Sequence, residues 1–141
     1  MGPSASRPME VSKVLIIDDE PASGRALEAI LEKEGFRVVR GSDGPGGRAL
    51  AVLEKPHLIL LDLHLPGEDG IETCRKLKGD PETSQIPVIF ISARKSPDDE
   101  RTGLDAGAVD YFPKPLDMDR LIARIRQILE ERMGTAVPAT P

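Results

Sequence analysis

The chain has 141 residues, of which 39% are hydrophobic and 30% charged, with a formal net charge of −5. That length fits one domain, and the balance of apolar and charged residues excludes a disordered chain. The negative charge and scattered basic residues run against direct nucleic-acid binding, and no segment reaches the roughly eighteen apolar residues of a membrane span.

Residues 1 to 10 are rich in Pro, Ser and Gly and read as a flexible leader without the hydrophobic core of a secretory signal, so a cytosolic protein is expected. The first apolar run, near residues 12 to 18, is Val14-Leu15-Ile16-Ile17 entering Asp18-Asp19-Glu20. Pro21 and the spacing Leu27, Ile30, Leu31 predict a helix, closed by Gly35. Phe36-Arg37-Val38-Val39 reads as a short, half-exposed strand. Ser42 to Gly47 opens a second helix carrying Ala49, Leu50, Val52 and Leu53, and Lys55-Pro56 stops it. The Gly46-Gly47 pair suggests local mobility there.

Leu58-Ile59-Leu60-Leu61 then runs into Asp62, followed by the tight loop Leu65-Pro66-Gly67-Glu68-Asp69-Gly70. A third helix spans about Gly70 to Lys78, and Val88-Ile89-Phe90-Ile91 forms a strand ending at Ser92. A fourth helix covers roughly Pro97 to Ala106, and Val109-Asp110-Tyr111-Phe112 leads into Pro113-Lys114-Pro115. Asp117 caps a last amphipathic helix, ending near Met133, whose apolar face is Leu121, Ile122, Ile125, Ile128 and Leu129. Residues 134 to 141 read as a flexible tail or a truncated linker, leaving one domain over residues 11 to 133.

Strands alternating with helices at this rhythm are βαβ units, which wrap both faces of a parallel sheet. The first, third and fourth strands are almost purely aliphatic, as central strands are, whereas the second and fifth belong at or near the edges. In such a sheet all carboxyl ends share one rim, where ligands bind. Asp18, Asp19, Asp62, Ser92 and Lys114 are therefore expected to converge. Clustered carboxylates repel unless compensated, and a hard divalent cation with oxygen ligands, Mg²⁺ above all, fits them. With Ser92 as donor and Lys114 as cation, one aspartate becomes available as a nucleophile for phosphoryl transfer, Asp62 being the candidate because the other two acids sit together. No dinucleotide fingerprint or Walker loop is present, and acids occupy the turn where a Rossmann protein needs glycines. The single cysteine, Cys74, excludes an internal disulfide and reads as an inert, partly buried thiol.

Asp18-Asp19, Asp62 with Pro66 and Gly70, Ser92-Ala93, and Asp105 to Tyr111 leading to Lys114-Pro115 resemble the receiver domain of bacterial two-component response regulators, over residues 12 to 132. The resemblance implies a flavodoxin-like, doubly wound α/β fold with five helices and a five-stranded parallel sheet of order 2-1-3-4-5. It implies that Asp62 accepts a phosphoryl group from a sensor histidine kinase or phosphotransfer protein. Mg²⁺ would be held by Asp18, Asp19, Asp62 and the backbone carbonyl of His64, with Ser92 and Lys114 contacting phosphoryl oxygens. It further implies a cis bond before Pro115, a switch through Ser92 and Tyr111, and a signalling or homodimer face on the fourth helix, fifth strand and fifth helix. Such a domain catalyses only its own phosphorylation and slow dephosphorylation. Leu65 stands where the family often has Met, and Pro113 stiffens the approach to Lys114.

Other readings place the same residues in plainer roles. Asp62, Ser92 and Lys114 could serve as turn formers, caps or solvated groups, and Tyr111 as a half-buried edge aromatic. The His64 ring is expected to face solvent beside the site, where it or Arg94 could tune dephosphorylation. A receiver-like module working by protein contacts alone would be expected to lack an essential acid, and none is missing. A hydrolase of similar topology would need longer loops or a cap insertion.

Overall fold

The computed structural model describes residues 11–93 and 97–132; the leader, Arg94, Met133 and the tail lie outside them. Strands and helices alternate as β1 (Lys13–Ile17), α1 (Pro21–Lys33), β2 (Arg37–Gly41), α2 (Gly44–Glu54), β3 (Leu58–Asp62), α3 (Gly70–Gly79), β4 (Val88–Ser92), α4 (Pro97–Asp105), β5 (Asp110–Pro113) and α5 (Met118–Arg132). All pairings are parallel, and the sheet order is β2-β1-β3-β4-β5. The two weakly apolar strands are the edges, as their composition requires.

The pleat divides the core in two. Val14, Ile16, Leu58, Leu60, Ile89, Ile91 and Phe112 face α1 and α5, meeting Leu27, Leu31 and the stripe Leu121, Ile122, Ile125, Ile128, Leu129. Leu15, Ile17, Ile59, Leu61, Val88, Phe90 and Tyr111 face the other way, toward Ala51 of α2 and Cys74 and Leu77 of α3. Because successive strand side chains point to opposite faces, continuous aliphatic runs bury both. Each fully buried Leu or Ile adds about 1.5–3 kcal/mol.

Several expectations shift. The second strand starts one residue later than Phe36 and extends to Gly41. Gly35 turns the chain with a φ of +97°, and Phe36 is spent as a buried plug against the α1–α5 cluster. In α1 the buried residues are Gly24, Leu27 and Leu31, while Ile30 is 36% exposed, and Leu53 on the outer side of α2 is 74% exposed. Gly44 and Gly47 of α2 and Gly41 of β2 have a packing reason. A side chain at Gly47 would collide with Ile17, one at Gly44 with Thr73, and a Cβ on Gly41 would lie 3.0 Å from the Gly47 Cα. Their bareness lets α2 sit close on β1 and α3.

Side-chain caps hold the starts of α2, α3 and α5, the last of them the expected Asp117, whereas α1 has none. Asp43 accepts from the Gly46 N–H at 2.7 Å, Asp69 from Glu72 at 2.9 Å and Asp117 from Arg120 at 3.2 Å. The fourth helix is held differently from the rest. Its one buried residue is Gly103, where a Cβ would come within 2.8 Å of the Phe90 ring. No described helix is long and apolar enough to cross a membrane.

Candidate functional site

The register sets the rim. Ile17 pairs with Leu61, Asp62 with Ile91 and Ser92 with Pro113, so Asp18, Asp62, Ser92 and Lys114 leave the sheet at one level. Two crossing bonds fix the loops there: the Asp18 N–H donates to the Gly41 carbonyl at 3.1 Å, and the Lys114 N–H to the Ser92 carbonyl at 2.6 Å.

The aliphatic run of β1 stops at Asp18, whose side chain is only 1% exposed. Its Oδ1 accepts from the Glu20 N–H at 2.9 Å, and its Oδ2 lies 3.3 Å from Lys114 Nζ. Asp19 next to it is exposed. Asp62, the last residue of β3, accepts from the His64 N–H at 2.9 Å and turns its Oδ2 to Lys114 Nζ at 3.6 Å. One carboxylate oxygen from each of Asp18, Asp19 and Asp62 lies within 4.8 Å of the others. Ser92 is fully buried, and the Lys114–Pro115 peptide bond is cis.

Lys114 pairs with Asp18 and Asp62 while Asp19 lies beside them, so the three clustered carboxylates and one ammonium carry a formal charge of −2. Burial raises the Asp62 pKa above the ordinary carboxylate range, against the opposing pull of the His64 N–H and Lys114; Asp18 and Asp19 push it up further. An all-oxygen donor set with excess negative charge suits a hard cation, so the residues fit a divalent ion such as Mg²⁺.

The other singled-out residues fall as follows. Tyr111 is buried at 9% exposure within the α2–α3 cluster, deeper than a half-buried edge aromatic. The His64 ring is exposed beside the site, its Nε2 3.5 Å from Asp99 Oδ2 on α4. His57 lies at the opposite rim, where its Nδ1 accepts from the Lys13 N–H at 2.9 Å. Cys74 is wholly buried, not partly, and burial pushes its thiol up to about 11, which leaves it inert as a nucleophile. Beside Asp18 and Asp19 is a cavity of about 200 Å³. That is below the roughly 300–1,000 Å³ of typical small-molecule sites.

Sequence reading missed one cluster. Glu68, in the loop after β3, has a side chain only 9% exposed. Arg48 of α2 grips it bidentately, with Nε at 2.9 Å and Nη2 at 2.8 Å. The Thr73 hydroxyl donates to it at 2.7 Å and Lys76 Nζ at 3.1 Å. Twenty residues separate Arg48 from Glu68, so no local pattern announces the pair. Arg48 is the main reason the Glu68 pKa falls to about 2, with Thr73 and Lys76 helping. A carboxyl depressed on folding adds stability above its ordinary value of 4.5, and that stability is lost as pH falls from there toward 2. Arg48→Ala is therefore expected to be less stable than the parent by about 1 kcal/mol at pH 7, solvent screening included. The two should converge near pH 2 in denaturant titrations; an unchanged gap at low pH would remove Glu68 as its source.

Comparison with known proteins decides the family. The family profile described as "Response regulator receiver domain" matches residues 14–126. The chain belongs to the response regulator receiver family. This receiver domain is 44% identical over 117 residues to the response regulator PleD of Caulobacter vibrioides, covering 83% of the chain but only 26% of PleD. It is 40% identical over 119 residues to PilH of Pseudomonas aeruginosa, covering 84% of the chain and 98% of PilH. Among solved structures, the BeF3-activated N-terminal receiver domain of RstA from Klebsiella pneumoniae is 34% identical, with a TM-score of 0.78 over 83% of this chain and 97% of that one. Receiver domains are signalling domains that interact with histidine kinases or phosphotransfer proteins. In this one the acidic rim is the part that can hold a metal ion.

Proposed function

We propose that this receiver domain takes a phosphoryl group onto Asp62 from a phosphohistidine donor, a sensor kinase or phosphotransfer protein, and thereby switches a protein-interaction surface. The observation that carries this reading is the meeting of Asp18, Asp19, Asp62 and Lys114 at one rim from positions almost a hundred residues apart. An Asp62 carboxylate oxygen forms the new P–O bond as the donor's P–N bond breaks, giving an acyl phosphate and free imidazole. Asp18, Asp19, Asp62 and the His64 carbonyl are the residues to hold Mg²⁺, which when bound supplies positive charge beside the phosphoryl oxygens. Lys114 exchanges carboxylate contacts for a phosphoryl oxygen, and the Ser92 hydroxyl donates to another.

The signal then passes outward. New acceptor oxygens beside Ser92 draw on the end of β4, and Tyr111 on the neighbouring strand repacks with it. Because α4 puts a single glycine into the core, it is the helix that such repacking moves most readily. The face formed by α4, β5 and α5 is then the surface for a downstream partner or a second copy. The working unit is the body of residues 11 to 133, acting in the cytosol on itself and on partners, not on a metabolite.

The test is direct. With Mg²⁺ and acetyl phosphate, intact mass should rise by one phosphoryl group. EDTA should prevent the gain, and hydroxylamine, which cleaves acyl phosphates, should reverse it. A folded protein that stays unlabelled by small donors and by phosphorylated kinases alike would refute phosphoryl acceptance.

A further inference from the structure

The Arg48–Glu68 pair sits between two parts of the candidate metal site that share no strand. One part is the acid pair after β1. Gly47, adjacent to Arg48, packs against Ile17, the residue immediately before Asp18, and Gly41, beside Gly47, accepts the Asp18 N–H. The other part is the loop after β3. That loop is closed by the Gly70 N–H donating to the Leu63 carbonyl at 2.9 Å, and it carries Asp62 at its start and the His64 carbonyl within it. Glu68 is the loop's outward hold. Its carboxylate is bound by two Arg48 donors from α2, by Thr73 and by Lys76 from α3, and it lies against the bare Gly44. One short helix therefore touches both parts through neighbouring residues, Gly47 on one side and Arg48 on the other.

We propose that Arg48 and Glu68 are positioning residues, whose ion pair across α2 fixes the spacing between the Asp18–Asp19 pair and the Asp62–His64 loop and so sets the affinity of the site for its divalent cation. This rests on the metal site described under the proposed function. Neither residue needs to touch the ion. A planar guanidinium gripping a covered carboxylate at two points defines both distance and orientation, which a lysine at the same place does not. The depressed Glu68 pKa agrees with a carboxylate that stays charged and paired throughout the working pH range. Groups that orient metal ligands from outside the coordination shell commonly change affinity on removal without changing the ligands themselves.

The experiment is calorimetric titration of the whole chain with MgCl₂ at neutral pH, well below the melting temperature, for Arg48→Ala, Glu68→Gln and Arg48→Lys. The control is Arg126→Ala, which removes an ion pair to Glu34 and a ring contact to Phe36 away from the carboxyl rim. Arg48→Ala and Glu68→Gln are expected to raise the Mg²⁺ dissociation constant about tenfold, with Arg48→Lys in between. Arg126→Ala should lower only the melting temperature. Phosphorylation by acetyl phosphate should fall at low Mg²⁺ and recover at saturating Mg²⁺. If Arg48→Ala does not fold, Arg48→Lys decides. Folded variants that bind Mg²⁺ as tightly as the parent reduce the pair to a stabilising contact and overturn the proposal alone. A parent protein that binds no Mg²⁺ overturns both this proposal and the metal site beneath it.

Discussion

Asp62→Asn is expected to take up no phosphoryl group and to melt higher than the parent protein in the absence of divalent ions. The first result follows from the proposed role of the Asp62 carboxylate as the acceptor, since an amide lacks its anionic oxygen. The second follows from the electrostatics of the rim. Burial, reinforced by Asp18 and Asp19, leaves the Asp62 carboxyl holding its proton more tightly in the folded chain than the ordinary value of 3.8 implies. Ionised Asp62 thus costs stability. The cost is absent below that ordinary value, grows as pH rises toward the raised folded value, and is constant above it. A neutral isostere removes the cost while still accepting the His64 N–H. A gain of about 1 kcal/mol would raise Tm by roughly 4 °C at pH 7, and the difference should vanish near pH 3. Saturating Mg²⁺ should reverse the order, since an ion at a hundred times its dissociation constant stabilises the parent by about 2.7 kcal/mol. Labelling that persists in Asp62→Asn would move the acceptor elsewhere.

Gly70→Ala should be the most damaging small substitution. At the first position of α3 a methyl group would collide with the Asp62 carbonyl and come within 2.7 Å of the Leu63 carbonyl and 2.8 Å of its Cα. All three are backbone atoms, so no rotamer change relieves the clash. The loop or the start of α3 must move, and the Gly70 N–H bond to Leu63 moves with it. Overpacking of this kind costs about 3 kcal/mol, or roughly 10 °C in Tm. Gly79, at the other end of the same helix, has nothing within 4 Å of a Cβ, and its alanine variant should melt at or slightly above the parent temperature. Equal melting temperatures for the two variants would mean that the loop after β3 is not packed as described.

The contrast between those glycines shows what can be read from a sequence and what cannot. Aliphatic runs such as Leu58 to Leu61 announce central strands because burial on two faces leaves no polar position, and the acids after them mark the rim because a parallel sheet aligns carboxyl ends. Asp18, Asp19, Asp62 and Lys114 were legible for that reason. Phe36 was misassigned because a β-former beside a turn can plug a core as readily as extend a strand. Glycine types in α2 carried no sign of the neighbours they admit, and the Arg48–Glu68 grip depends on a close helix approach that those same glycines permit.

The shallow hold on α4 has an evolutionary side. Apart from Gly103 in the core and Asp99 beside His64, its residues Pro97 to Asp105 look outward, so their identities answer to little inside the molecule. Mutations there leave both core layers and the carboxylate cluster intact. If α4 carries the partner surface as proposed, substitutions on its exposed side can change the partner while the acidic rim stays as it is.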